Sequence, residues 1–272
     1  MGIETAIVWT DSTWNPWWHC VPISEACTHG SGCYAASLAK RFGCDCFGVG
    51  KTARTFGDRH WAEPITWAAE ARKVGERHKV FCMSMGDICE DLPALEPMRQ
   101  RLWPIIRQTA DALDWILLTK RAENLGRMIP EDVQRLAWLG VTVENQRRAD
   151  ERVPHLRELP AAVRFISVEP LLDPVVLSPY LPSIDWVIIG AQSGPRAIPM
   201  DPTWASALAA QTRAAGTALF VKQLTAPRGR GTNGVLHEPE QFPADLRTRE
   251  FPRARIPRPI AATGQASLPL GD

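Results

Sequence analysis

The chain has 272 residues, 45% of them hydrophobic and 22% charged, and a formal net charge of +1. That composition suits one large globular domain, and no overall field marks the chain for a polyanion. No apolar run reaches the length of a membrane helix, Met1–Thr10 lacks the basic-then-apolar pattern of a secretory signal, and seven cysteines, an odd number, argue against a disulfide framework and for a reducing, cytoplasmic setting.

Short apolar, β-branched runs recur, each followed by polar residues and then by a helical stretch. The predicted strands are Ala6–Trp9, Val80–Met83, Trp115–Leu118, Leu139–Val143, Arg164–Val168, Trp186–Ile189 and Ala218–Val221. Helical patterns lie over Tyr34–Phe42, Leu95–Ala110, Glu131–Trp138 and Thr203–Ala214. This alternation predicts an α/β fold, a partial or complete (β/α) barrel of about six to seven parallel strands, with a flat doubly wound sheet as the competing arrangement. Residues 1–250 are read as one barrel domain with a cluster loop at 10–34. Glycine-rich Gly43–Arg59 reads as a long loop over the barrel mouth. Residues 251–272, with Arg253, Arg255 and Arg258, read as a Pro/Arg-rich, disordered tail.

Each predicted strand from the second onward exits into polar residues: Ser84 to Asp87, Thr119 to Arg121, Glu144 and Asn145, Glu169 and Pro170, Gln192 and Ser193, Lys222 and Gln223. Parallel β/α architectures place active sites at this edge. Long ionisable groups such as Lys120, Glu144, Glu169 and Lys222 beside a core are costly unless paired or used. An ion-pair network across the barrel top is the bland alternative for them.

The first loop carries Cys20, Cys27 and Cys33 with C-x6-C-x5-C spacing. Three thiolates on one loop can hold three irons of a four-iron cluster and leave the fourth open to a small molecule. The same residues with His19 also suit a closed Cys3His zinc site, and three loop cysteines with no metal remain open as well. Cys44 and Cys46 are close enough to add ligands. Cys82 reads as core, and Cys89 as either.

Several motifs in order carry a family resemblance. They are Trp9-Thr10-Asp11, Thr13-Trp14-Asn15-Pro16, the three cysteines ending in Cys33-Tyr34-Ala35, Ser84-Met85-Gly86-Asp87, Leu118-Thr119-Lys120-Arg121 and Gly140 to Asn145. They continue with Ser167-Val168-Glu169-Pro170-Leu171-Leu172, Gly190 to Gly194 and Val221-Lys222-Gln223. The chain thereby resembles, over about residues 3 to 240, the phage-associated three-Cys-motif family related to the radical S-adenosylmethionine (SAM) enzymes. It departs from the usual radical-SAM spacing, C-x3-C-x2-C with an aromatic before the last cysteine. Here the loop is wider, Gly32 precedes Cys33, and the aromatic Tyr34 follows it.

The resemblance implies a [4Fe-4S] cluster on Cys20, Cys27 and Cys33, with SAM held by Tyr34, Ser84, Asp87, Lys120 and Asn145. Ser84 and Asp87 would lie near the amino group of its methionine part. Glu144, Glu169 and Lys222 would orient substrate and SAM and move protons. The substrate it suggests is an amino-acid-modified thymine in phage DNA, flipped from the duplex and isomerised from nitrogen to carbon linkage, so that viral DNA evades restriction. An electron donor such as a flavodoxin would be needed, and the setting would be the host cytoplasm. Other readings are a radical SAM enzyme on a small metabolite or peptide, a zinc-stabilised nucleic-acid-binding module, and a scaffold for a partner protein.

Overall fold

The structure, a computed structural model, describes residues 5–227 and 234–254. The strands are β1 (Ser12–Thr13), β2 (Trp17–Trp18), β3 (Arg54–Thr55), β4 (His78–Phe81), β5 (Leu113–Thr119), β6 (Ala137–Thr142), β7 (Val163–Val168), β8 (Trp186–Gly190), β9 (Ala218–Thr225) and β10 (Val235–Leu236). The main sheet has the order β1-β4-β5-β6-β7-β8-β9-β10, and β2 pairs only with β3. All main-sheet pairings are parallel except that of β10 with β9. Seven parallel strands thus form a curled, open half-barrel. The partial barrel is the arrangement present, since β1 and β10 remain separate edges.

The α-helices are α1 (Glu25–Thr28), α2 (Tyr34–Arg41), α3 (Asp58–Trp61), α4 (Glu63–Val74), α5 (Glu96–Thr109), α6 (Leu125–Met128), α7 (Glu131–Leu136), α8 (Gln146–Arg157) and α9 (Pro202–Ala214). Leu102, Trp103 and Ile106 of α5, Ala149, Val153 and Leu156 of α8, and Ala205, Leu208 and Ala209 of α9 share one core with Trp115, Leu139, Val187 and Val221 of the sheet.

The opposite sheet face has a second, aromatic core. Trp9, Phe81, Ile116, Trp138, Phe165, Trp186, Ile188 and Phe220 pack together there. Trp186 is its hub, with ring centroids 5.7–6.2 Å from Trp9, Trp138, Phe165 and Phe220. Strand side chains alternate faces, so the same face continues upward in steps of two. Ile116 and Leu118 lead to Lys120, Trp138 and Gly140 to Glu144, Phe165 and Ser167 to Glu169, and Phe220 to Lys222. The floor is aromatic and the rim ionisable. Gly140 is required in between, because a Cβ there would lie 2.3 Å from the Phe165 ring.

Three expectations change. Ala6–Trp9 is no strand: Thr10 N–H bonds the Ile7 carbonyl in a turn, and Ala6 and Val8 are exposed. Pairing starts at Asp11, whose N–H bonds Lys79 O while its carboxylate accepts from Lys79 N–H. Gly43–Arg59 is not all loop, because β3 within it pairs with β2. Phe251 belongs to the barrel floor, its ring 5.6 Å from Trp186 and 5.5 Å from Phe220. Residues 255–272 of the predicted tail, Arg255 and Arg258 included, lie outside the described residues.

Candidate active site on the cysteine loop

The cysteine loop crosses the carboxyl edge of the sheet and is bonded to it at three places. At its start, Glu90 accepts from Val21 N–H at 2.9 Å and pairs with His19 Nδ1 at 2.8 Å. Arg121, just after β5, donates to Val21 O, Asp87 and Glu90, and one of its nitrogens lies 3.6 Å from Cys20 Sγ. In the middle, Ser24 precedes α1 and donates to Glu144 at 2.7 Å, while lying 3.6 Å from Cys27 Sγ. At its end, Gln192 after β8 donates to His29 O at 3.0 Å and accepts from Ser31 N–H at 3.3 Å, and Ser31 Oγ accepts from Arg196 N–H. The residues between Cys27 and Cys33 that widen the loop are therefore the ones seated on the β8 end. Gly30 and Gly194 both have positive φ there. A Cβ on Gly30 would strike Gln192 at 2.3 Å, and one on Gly194 would strike Ser31 at 2.6 Å.

Cys20, Cys27 and Cys33 are free thiols, partly buried. Burial pushes the Cys20 thiol well up, and the carboxylates of Asp87 and Glu90 add to this against Arg121. Burial also raises Cys33, opposed by the N–H groups of Ala36 and Ala35 in the first turn of α2 and by Lys120. Such thiols are neutral at pH 7 by themselves, and a bound cationic group favours their thiolates. No three His, Cys, Asp or Glu side chains among the described residues come together closely enough to hold a single metal ion. His19, the fourth residue of the alternative Cys3His set, is bonded to Glu90. Three free thiols spread along one anchored loop have the donor chemistry for a group larger than one ion, such as a four-iron cluster. Cys44 and Cys46 are bonded to each other as a disulfide, which removes them as ligands in this form. Cys82 and Cys89 are fully buried.

The ionisable rim is paired. Glu144, 0% exposed, accepts from Arg152 at 2.7 Å and lies 3.5 Å from Lys120 Nζ. Lys222 pairs with Glu169, each side chain 18% exposed. Gly190 makes room for Glu169, since a Cβ there would lie 2.9 Å from its carboxyl carbon. Tyr34, half exposed, donates to Ser84 O at 3.1 Å, and Ser84 Oγ bonds Asn15. Tyr34, Ser84 and Lys120 thus border the loop with open sides.

Asp87 and Asn145 both have hydrogen-bond partners within the chain. Asp87 is 5% exposed and accepts from Thr119 Oγ1, Cys89 N–H, Lys120 N–H and Arg121, which fills both oxygens. Asn145 caps α8 by accepting from Arg148 N–H at 3.0 Å. Their local backbone duties are satisfied by the chain itself. Sequence reasoning missed Ser24, Glu90, Arg121 and Arg152 as supports. Arg152 had a legible signal: it sits in the apolar stripe of α8 with Ala149, Val153 and Leu156. Beside the loop, between its first residues and α8, lies a cleft of about 840 Å³ lined by Val21, Lys51, Lys120, Arg121, Arg148 and His155.

A family model described as "Protein of unknown function (DUF5131)" matches residues 4–238. No curated protein matches. Among solved structures, the chain is similar to a mutant of spore photoproduct lyase with dinucleoside spore photoproduct, at TM-score 0.49 and 12% identity over 89% of this chain and 72% of that one. A double mutant of the same lyase with bound AdoMet and the dinucleoside gives TM-score 0.48, 12% identity, 89% and 72%. Among the described residues, no helix is long and apolar enough to cross a membrane.

Proposed function

We propose that this chain, which belongs to the family described as a protein of unknown function (DUF5131), is a radical-SAM-type enzyme that acts on a modified base in DNA. The observation that carries the reading is the loop bearing three free thiols, bonded separately to the ends of β4 and β5, β6 and β8. The motif series from Trp9 to Gln223 supports the class. Cys20, Cys27 and Cys33 would hold a [4Fe-4S] cluster, and Tyr34, Ser84 and Lys120 would border its SAM. The chemistry such a group supplies when reduced is cleavage of SAM to a radical that abstracts hydrogen from an unactivated carbon.

The chain's own residues aim and enclose that chemistry. Glu144, held by Arg152, fixes Ser24 and with it the Cys27 segment. Arg121 and Glu90 fix the Cys20 segment. Of the two rim carboxylates, Glu169, paired with Lys222, is the one open to a substrate, since Glu144 is fully buried. An amino-acid substituent is complementary to it, its ammonium facing Glu169 and its carboxylate facing Lys222. That matches an isomerase moving an amino acid on thymine from nitrogen to carbon linkage, in the service of phage DNA that evades restriction, with electrons from a flavodoxin-type donor in the host cytoplasm.

The test is anaerobic reconstitution with iron and sulfide, then dithionite and SAM. Formation of 5′-deoxyadenosine, lost in Cys27→Ala, is the expected result. Zinc without iron after anaerobic purification, or an intact cluster that never cleaves SAM, overturns the class. DNA carrying an N-linked glycyl thymine tests the substrate: mass-neutral rearrangement is expected, and an unchanged base removes the isomerase.

A further inference from the structure

The segment 40–59, which follows the cysteine loop, is an anomaly in a nearly neutral chain. It holds five cations (Lys40, Arg41, Lys51, Arg54, Arg59) and two acids (Asp45, Asp58), a net of 5 − 2 = +3 against +1 for the whole chain. Both acids are already paired, Asp45 with Lys51 at 2.6 Å and Asp58 with Arg101 at 2.7 Å. Lys40, Arg41, Arg54 and Arg59 are exposed, and none of the four has a carboxylate partner among the ion pairs of the described residues.

Aromatic rings are interleaved with these cations. Phe42 is 64% exposed. Its ring centroid is 6.0 Å from that of Trp18, which in turn is 5.9 Å from Phe56. The Arg54 guanidinium lies over Trp18 at 4.5 Å and 5.2 Å from the Phe56 centroid. Three rings and a guanidinium plane therefore make one platform. It is rigid from behind, because Trp18 packs against the small core of Ala35, Ala39, Cys46 and Met85, which Cys33 also joins. Tyr34, 52% exposed, stands at the other end of α2, about 12 Å from Phe42 along the helix. The platform thus runs from the outer surface to the residue after Cys33.

An aromatic as exposed as Phe42 among unpaired cations is poorly explained by folding: it contributes little burial, and a monomer gains nothing from like charges side by side. Both features fit a polyanion with π-faces. Unstacked bases lie on aromatic and guanidinium planes while the backbone tracks cations. A duplex hides its base faces, so the platform suits single-stranded or locally opened DNA.

We infer that Trp18, Phe42, Arg54 and Phe56, with Lys40, Arg41 and Arg59, form a stacking and phosphate-binding surface for single-stranded DNA that leads to the cysteine loop. The choice of DNA rests on the function proposed above, and the surface adds where and how the strand is held. Binding needs neither cluster nor SAM, so it can fail or succeed independently of radical chemistry.

The experiment is fluorescence anisotropy of the full chain, as purified, with a labelled mixed-sequence single-stranded oligodeoxynucleotide. With about four phosphate contacts, affinity should fall about 50-fold between 50 and 200 mM salt. Phe42→Ala should weaken binding about tenfold through the lost stack. Arg54→Glu should weaken it at least as much and flatten the salt dependence. Both positions are exposed, so circular dichroism should match the parent, and 5′-deoxyadenosine formation without DNA should not change. A Lys40→Glu/Arg41→Glu variant provides a second, purely electrostatic arm. Absence of binding at 50 mM salt overturns the inference. So does equal affinity for duplex, or binding untouched by all three variants, which would point to another surface or to a protein partner.

Discussion

At the residue scale, the cysteine loop depends on polar atoms that belong to other elements. Ser24 is the clearest case. Its hydroxyl joins Glu144 to the Cys27 segment, and Ser24→Ala leaves a buried carboxylate short of one donor. The expected cost is about 1–2 kcal/mol, read as a lower urea midpoint, together with fewer irons bound per chain after reconstitution. Unchanged midpoint and iron content would mean that Glu144 serves only Arg152 and Lys120. Asn145 separates two roles. As a helix cap it is replaceable by Asp, whereas Asn145→Ala should cost about 1 kcal/mol. Stability retained in Asn145→Asp with SAM cleavage also retained makes it a cap alone. Loss of cleavage in a stable Asn145→Asp makes it a SAM contact as well.

Gly140 marks where residue and element meet. The β6 backbone passes under the Phe165 ring so closely that no side chain fits. Gly140→Ala should destabilise by about 1–3 kcal/mol through overpacking. Adding Phe165→Leu should recover much of that loss, because a smaller neighbour frees the space. If the double variant is no better than the single one, the strain lies in the backbone rather than in the ring contact.

Among elements, the β1–β4 edge is the most exposed to pH. β1 is two residues long, and His78 Nε2 bonds Ser12 Oγ at 2.9 Å across that edge. Burial holds the His78 imidazole below its ordinary value of 6.5, with Asp11 opposing. The folded state therefore binds this proton less readily than the unfolded chain. Stability from His78 is complete above about pH 6.5 and declines as pH falls below it toward the folded-state value. Urea midpoints from pH 7.5 to 5.5 should fall, and His78→Gln should flatten that slope. An identical slope in the variant assigns the effect elsewhere.

For the whole molecule, the two large cores lie below the site. The helix-covered face and the aromatic floor contain none of Cys20, Cys27 and Cys33. Stripping metal with a chelator should therefore leave a cooperative thermal transition and near-native far-ultraviolet circular dichroism. This is the opposite of a zinc-dependent module, which unfolds when its metal is removed. Collapse of the circular dichroism on chelation would move the protein into that class. The rim also explains how ionisable groups are tolerated above an apolar floor: Glu144 has Arg152 and Lys120, and Glu169 has Lys222. That ion-pairing matches the bland reading of these residues. It leaves the partly exposed Glu169–Lys222 pair, rather than the fully buried Glu144, as the one open to substrate.

Much of this was legible in the chain because it is local. A buried strand announces itself by a short apolar run, so six of seven strands and the polar residues after them were readable in order. The exception, Ala6–Trp9, has the composition of a strand but no neighbour to pair with, and pairing is not a property of the run itself. The cysteine triplet was legible as a donor set for the same local reason. Which groups hold the loop was not. Glu90, Arg121 and Gln192 lie 69, 100 and 163 residues from the loop residues they bond, separations that composition and periodicity do not register. Asp87 and Asn145 read as ligands by motif, and the motif does not register the partners that the fold gives them, Thr119 and Arg121 for Asp87 and the first turn of α8 for Asn145. Local propensity and strand alternation set which residues share a face. Only closure of the sheet decides which faces and loops meet, because contact between distant segments depends on the curvature and register of every strand between them.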